Sequence, residues 1–377
     1  MSSPAIQHPG DARWETRLLA VLAATLTVFG IATLYAAASF QRSGFALTLS
    51  QLSGAAAGVV LAAIASRMDY QRWRPLAWPL VILTLVLLVI PILPFTHAIS
   101  PVKNGARRWI EIFGIGFQPS ELAKFAIVLW TAMLAAKKGE TVRTFKKGVT
   151  PFIVVAGVMA LLVLPEPNLS TAIIIAALSG IVLFTAGAKI GHFLVLGIGA
   201  AFAVVWLIML EPYRLRRAKC FLGLADGCSE EVTYQVKQSL IGFGSGRVFG
   251  VGFGQGQQKL NYLPYAHSDF IFSTIGEEWG FVGVLVIAGL FLLFCWFGLR
   301  IARTAPDPFG QYLAVGLTAS VGLTALMHMA VTMKLMPTTG QSLPFMSHGR
   351  SNLIMTLLGV GILISIGRMR GRARGSG

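Results

Sequence analysis

Long runs of apolar residues constrain this chain more than any other feature. A helix needs about 20 apolar residues to cross the hydrocarbon core of a bilayer. Ten segments approach that length, at 18–38, 46–65, 76–95, 121–136, 150–165, 170–187, 191–210, 269–299, 311–333 and 351–367. Lipid offers no partner for backbone N–H and C=O groups, so each run is expected to satisfy its own as an α-helix. The fold expected is an all-α integral membrane protein of about ten transmembrane helices, forming one polytopic domain over 1–377. With 55% hydrophobic and only 12% charged residues, no sizeable soluble domain remains, and disordered or disulfide-scaffold classes are excluded.

An even number of spans puts both termini on one side. With the termini cytoplasmic, 17 of the 31 Lys and Arg residues fall inside and 13 outside, with Lys124 within a span. Seven of the outer ones lie in the single connection 211–268; without it the bias is 17 to 6, which sets the orientation. Residues 1–17 are then a cytoplasmic tail, 211–268 a large extracytoplasmic loop between helices 7 and 8, and 368–377 a basic cytoplasmic tail resting on anionic lipid. No cleavage pattern precedes the first span, which reads as an uncleaved anchor. The net charge of +16 is thus a matter of membrane sides, and no nucleic-acid partner is expected.

An ionisable group inside or at the mouth of a span is a functional candidate because its burial is costly. Asp269 opens the eighth apolar run, and at helical spacing it shares a face with Ser273, Gly276, Glu277 and Gly280. That stripe either lines a cavity or lets helices approach closely, with Asp269 complementing a helix dipole. Seven glycines fall between Gly242 and Gly256. Their spacing predicts a non-helical loop whose backbone approaches a ligand, flanked by Gln235 and Gln238 before it and Gln258 and Lys259 after it. The run lacks the Gly-Lys-Ser/Thr of a nucleotide loop.

Basic residues cluster outside as Lys103, Arg107 and Arg108, as Arg214, Arg216, Arg217 and Lys219, and as Arg247 with Lys259. Fixed cations at headgroup level suit the phosphates of an anionic lipid, although interfacial anchoring accounts for any single one of them. Ser120 reads as the N-cap of the fourth span, with Glu121 on its dipole and Lys124 one turn on as an ion-pair partner. The stretch 337–352 is a Gly/Pro/Ser-rich re-entry before the tenth span. The six histidines show no metal-ligand spacing, His267 with Asp269 being too short a motif. Cys220 and Cys228 lie in the external loop, where pairing stays open, and Cys295 reads as packing.

Seven motifs, in order, carry a family resemblance: GARRWI at 105–110, FQPSELAK at 117–124, PEPNLSTA at 165–172, YQVKQSLIGFGSG at 234–246, GVGFGQGQQKLNYLP at 250–264, HSDFIFSTIGEEWGFVG at 267–283 and MPTTGQSLPFMSHGRS at 336–351. Together they resemble the SEDS family (shape, elongation, division and sporulation), and the loop before Asp269 is closer to its division branch than to its elongation branch. The resemblance implies a peptidoglycan glycosyltransferase that polymerises lipid II, the undecaprenyl-pyrophosphate disaccharide-pentapeptide, on the outer face of the bacterial cytoplasmic (inner) membrane at the division septum. Asp269 stands at the family's essential aspartate, the general base. The substrate-binding candidates are Arg107, Arg108, Lys124, Arg214, Gln235, Gln238, Gln258, Lys259, His267 and Ser347.

The resemblance further implies a class B penicillin-binding protein as the cross-linking partner, other division proteins, and a divalent cation (Mg or Mn) on Asp269. Against the cation stands Asn168, where the family's Pro-Asp-Leu-Gly-Thr has its aspartate. His348 and Arg350 depart from the family's Ser-Tyr-Gly-Gly-Ser, and Thr339 from its lysine. The alternatives are a lipid II flippase without glycosyltransferase chemistry and an elongation-type polymerase.

Overall fold

The computed structural model describes residues 11–40, 43–102, 106–112, 115–224 and 230–369. Twelve α-helices are arranged in chain order as α1 (Asp11–Ala38), α2 (Gly44–Arg67), α3 (Ala77–Val89), α4 (Pro119–Lys138), α5 (Thr150–Val163), α6 (Leu169–Thr185), α7 (Ile190–Leu210), α8 (Pro212–Phe221), α9 (Glu230–Gly246), α10 (Ile271–Arg303), α11 (Pro308–Thr332) and α12 (Arg350–Met369). An apolar helix stands at each of the ten predicted runs. Eight are long and apolar enough to cross a membrane, while the helical stretches Ala77–Ile92 and Leu169–Thr185 are shorter. An antiparallel ribbon of β1 (Ile110–Ile112) and β2 (Ile115–Phe117) lies just before α4. Apolar counting does not foresee it, because strands of this length carry no periodic signal.

Helix α4 is the hub. It packs against α3, α6 and α11, and nearly its whole length is buried, including Trp130 and the Glu121–Lys124 pair at 2.9 Å. Its N-cap is Gln118, with Pro119 at the first helical position, so Ser120 lies inside the helix rather than capping it. Proline fits there because the first turn has no use for its missing N–H. Helix α2 lies along α12. The contact is close because both helices present small residues: a Cβ on Gly361 would sit 2.4 Å from the Ala62 carbonyl oxygen. In contrast, α7 carries no fully buried residue; it touches the bundle through contacts such as Phe193 on Phe184, and most of its surface is offered to lipid.

Alternation of the helices gives the bundle two ends. At one, Arg300 pairs with Glu15 at 2.7 Å and lies over the Trp14 ring, the Tyr70 hydroxyl donates to Asp307, and Ser365 donates to the Met68 carbonyl. The other end holds α8, α9 and the segment 333–349. That segment has no regular structure, yet it enters the bundle, with Phe345 wholly buried against Phe291 and Phe294. Irregular backbone survives at such depth only when its polar groups are bonded within the protein. Gln51 of α2 does this from one side, donating to Ser347 O and accepting from Gly349 N, both at 3.0 Å. His328 and Gln341 close the other side through a 2.7 Å contact of ring Nδ1 with the Gln341 carbonyl.

One glycine expectation needs correction in part, and the stripe on α10 follows the close-packing alternative. Only the second part of the glycine run is the expected loop, with Gly250, Gly252 and Gly254 at positive φ, while Gly242, Gly244 and Gly246 belong to α9. Packing overrides propensity there: α9 lies on α10, and a Cβ on Gly246 would meet the Gly276 carbonyl at 1.9 Å. The stripe Ser273, Gly276, Glu277 and Gly280 faces α9 and the following loop, not a cavity, and Asp269 precedes the helix. Ser273 Oγ donates to Ser239 O at 2.8 Å. Glu277 accepts from the backbone of Gln257 and Gln258. At Gly280 the backbone turns to φ 65°, ψ −163°, a region essentially reserved for glycine.

The kink is tied down by the loop, with Phe281 N donating to Arg247 O and Val251 N to Glu277 O. A Cβ at Gly280 would lie 2.3 Å from Gly250 N. Gly280→Ala is therefore expected to lose at least about 2 kcal/mol to backbone strain and to melt well below the parent. Gly244→Ala, with nothing within 4 Å of the added Cβ, should match or exceed it. Thermal unfolding of the purified proteins in detergent compares the two.

Candidate functional site

Asp269 sits in the turn just before α10, half-buried. Three remote stretches converge on it. From the segment before β1 comes Arg108, whose Nε donates to Glu166 O at 2.6 Å and whose Nη2 donates to Pro167 O at 2.8 Å. From α8 comes Arg217, whose Nη1 donates to Thr338 O at 3.0 Å. From the irregular segment comes Gly340. A Cβ there would lie 3.5 Å from Arg108 Nη1 and 3.7 Å from Asp269 Oδ2, so the guanidinium edge and the carboxylate flank the same glycine.

The turn bearing Asp269 is bolted to segment 333–349. Ser347 Oγ donates to Ser268 O at 2.6 Å and accepts from Leu343 N at 2.8 Å, and His348 N donates to His267 O at 3.1 Å. The segment is in turn held to α6, where Gln341 Nε2 donates to Asn168 Oδ1 at 3.2 Å and to Thr171 Oγ1 at 2.8 Å. Asn168 is also the N-cap of α6, accepting from Thr171 N.

Burial pushes the Asp269 carboxyl up to about 6, against the opposing pull of Arg108, of the Ser268 hydroxyl and of Arg217. At pH 7 it is largely ionised but more basic than a solvated aspartate, which suits a proton acceptor working near neutrality. Burial also raises Glu166, to about 8, with the Arg108 charge only partly offsetting it. His267 is lowered by burial, and His348 is pushed down to about 4 by burial and by the charges of His267 and Arg350. Both rings are neutral at pH 7, packed edge to face with centroids 6.0 Å apart.

Of the residues singled out from sequence, Asp269, Arg108, His267 and Ser347 meet here, Ser347 as a bolt under the turn. The others lie elsewhere. Arg107 ties down the loop before it through Ser100 O, Leu93 O and Thr96 Oγ1. Lys124 is spent on Glu121 within the bundle, where Asn352 Nδ2 also donates to Glu121 at 3.0 Å. Arg214 reaches the Leu207 and Leu164 carbonyls at 3.5 and 3.4 Å. Lys259 is buried against Glu278 at 3.4 Å, and Gln258 is buried beside Glu277. Gln235 and Gln238 are half-buried on α9. The pairing of Cys220 with Cys228 lies outside the described residues, because Cys228 is not among them; Cys295 is a free thiol in α10.

Sequence reasoning missed Arg217 as an Asp269 neighbour, Gln341 as the brace and Glu166 altogether. Arg217 stood within a cationic cluster, while Gln341 and Glu166 lie inside the motifs at 336–351 and 165–172 with nothing to single them out. For a divalent cation the residues present do not fit. Among the described residues no three His, Cys, Asp or Glu side chains gather where they could hold one. The Asn168 amide oxygen is already used twice, and two guanidiniums bring positive charge to the carboxylate a metal would need.

Because only Asn168 Oδ1 is engaged, Asn168→Asp preserves both acceptor bonds and is expected to fold as the parent does. Asn168→Ala should cost about 1 kcal/mol through the lost helix cap and loosen Gln341 as well. Melting temperatures of the two variants check this.

The family model described as cell cycle protein, FtsW/RodA/SpoVE, matches residues 13–371. A probable peptidoglycan glycosyltransferase FtsW of Trichlorobacter lovleyi is 40% identical over 354 residues, covering 93% of this chain and 92% of that protein. Stage V sporulation protein E of Bacillus subtilis is 32% identical over 361 residues, covering 93% and 96%. Among solved structures, a chain of a peptidoglycan synthase complex that coordinates polymerization and crosslinking superposes with a TM-score of 0.77 at 26% identity, covering 93% of this chain and 97% of that one. The rod shape determining protein RodA of Thermus thermophilus superposes with a TM-score of 0.68 at 26% identity, covering 93% and 96%. With its apolar helices, its motifs and its site at one end of the bundle, this chain belongs to the FtsW/RodA/SpoVE family.

Proposed function

We propose that this protein is a peptidoglycan glycosyltransferase of the FtsW kind, polymerising lipid II into glycan strands on the outer face of the bacterial cytoplasmic membrane during septal wall synthesis. The observation that carries the reading is the half-buried Asp269 carboxylate, raised to about 6 and flanked by Arg108 and Arg217. The named FtsW relatives favour this over an elongation-type role.

In the proposed reaction Asp269 takes the proton of the acceptor sugar 4-hydroxyl. The oxygen attacks the anomeric carbon of the donor, a C–O bond forms with inversion, and the bond to the lipid pyrophosphate breaks. Arg108 and Arg217 supply fixed positive charge for the phosphate oxygens as that bond opens, and charge stabilisation of this kind is usually a large term in such a displacement. Helix α7, with no buried residue, leaves the neighbourhood of α8 in contact with lipid, where an isoprenoid tail belongs. In this topology both termini are cytoplasmic. A flippase would require no proton acceptor, and nothing in the site favours one. Among the described residues there is no transpeptidase domain, and cross-linking is assigned to a partner, proposed to be a class B penicillin-binding protein; a likeness to a chain of a synthase complex that couples the two steps supports this.

Purified protein given labelled lipid II, with its penicillin-binding partner present, is expected to form glycan polymer. Asp269→Asn should lower the rate by at least about a hundredfold, the scale of a lost general base, with an unchanged melting temperature. A folded Asp269→Asn protein polymerising at the parent rate refutes the assignment of the base. Chelator is expected to leave the parent rate unaltered, and abolition restored by added Mg or Mn would refute the metal-free reading.

A further inference from the structure

The turn between α5 and α6 holds a group that the mechanism above does not use. Glu166 is 1% exposed, and neither of its carboxyl oxygens has a hydrogen-bond partner among the described residues. A buried carboxyl without partners is costly and is not retained for packing, which an apolar side chain would do better. Its backbone carbonyl, and that of Pro167, are the two acceptors that seat Arg108. The same guanidinium presents its other edge, Nη1, to Gly340 and the Asp269 side. Arg108 is therefore within electrostatic reach of both a hidden carboxyl and the site carboxylate.

We infer that Glu166 is a positioning residue of this site, acting through Arg108 on Asp269 and on a phosphate-bearing substrate. Which face of Arg108 carries uncompensated charge depends on whether Glu166 holds its proton. With the proton, Glu166 is neutral, and the field of Arg108 is directed to the carboxylate and to the phosphates of the leaving group. Without it, Glu166 takes up part of that field at close range in a medium of low dielectric, and the phosphates lose the corresponding attraction. The charged groups facing this turn are Arg108 from the segment before β1, Arg214 of α8 through the Leu164 carbonyl, and, across the site, Asp269 and Arg217. Burial is what holds Glu166 neutral, up to about pH 8.

The inference rests on the polymerase reading, and its test separates the two. In the parent, kcat/KM for lipid II should fall by up to about tenfold between pH 7 and pH 9, as the neutral fraction of a group titrating at about 8 declines. Glu166→Gln cannot ionise, so its ratio of kcat/KM at pH 9 to that at pH 7 should exceed the parent's severalfold, with the acid limb governed by Asp269 unmoved. A second readout needs no activity. A carboxyl whose folded value lies above its unfolded one loses stability as pH rises between them. The melting temperature of Glu166→Gln should therefore exceed the parent's by a margin that widens from pH 5 to pH 8. Superposed rate profiles overturn the inference, even if the stability gap appears, because Glu166 is then merely buried. A parent that forms no polymer at any pH instead refutes the polymerase reading.

Discussion

An aspartate can keep its charge at the end of an apolar bundle only if the protein replaces the water it gives up. Here the replacement is two guanidiniums, Arg108 and Arg217, and the hydroxyl of Ser268. None of these is fixed by its own element alone. Arg108 is seated by the carbonyls of Glu166 and Pro167, and Arg217 by that of Thr338. The backbone of one partner's neighbourhood thus becomes the mould for the next. The aspartate-bearing turn closes the ring through Ser347 and His348. Each link ends on a carbonyl, the donor being a charged or polar side chain except at His348, whose backbone N–H donates, and in surroundings with little water such a bond is worth more than at a solvated surface.

That ring needs rigid ground, and two features provide it. One is the irregular segment 333–349, whose anchoring by Gln51, His328 and Gln341 converts a loop into a fixed plug. The other is the kinked start of α10, locked by the glycine-rich turn and by the buried Lys259–Glu278 pair. A buried ion pair gives little net stability, because desolvation offsets its attraction. Its use here is geometric, since the pair allows one arrangement of the turn over the kink and no slip. The residues that read as a ligand-binding flank from sequence, Gln258 and Lys259, are the clamp itself.

The apolar runs were legible because membrane helices must be long and continuous, so each run gave an apolar helix, eight of them long enough to cross a membrane. The positions of Asp269 and Arg108 were legible because charge is scarce in such a chain. What failed were inferences from one residue type to one role. Gly242, Gly244 and Gly246, read as helix-breaking, were helical because α10 needs α9 at backbone distance, whereas Gly250, Gly252 and Gly254 do lie in a loop at positive φ. Lysines and arginines read as substrate contacts divided among Asp269, other carboxylates and distant carbonyls, since a long cationic side chain bonds whichever acceptor the fold brings near. Arg217 and Glu166 reach the site from stretches 52 and 103 residues before Asp269, a pairing no local pattern encodes. Ser120 failed as a cap for a smaller reason: Pro119 next to it needs no N–H partner, and the helix starts one residue earlier.

Charge accounting at the site is consistent with the metal-free reading proposed above. With Asp269 ionised and Glu166, His267 and His348 neutral near pH 7, the two guanidiniums face one carboxylate, which leaves the cluster with a net positive charge. The pyrophosphate leaving group of the proposed reaction develops negative charge as its bond to sugar breaks, and a preorganised cation lowers such a barrier most when it need not first be assembled. Arginine suits the task better than lysine, because its planar fork bonds a backbone carbonyl with one edge while presenting another edge to phosphate. An aspartate at 168 in place of Asn168 would reduce that surplus. Asn168 instead keeps the acceptor geometry that seats Gln341 and adds no negative charge, so the positive field at Asp269 is preserved by the residue whose side chain most nearly imitates the one it replaces.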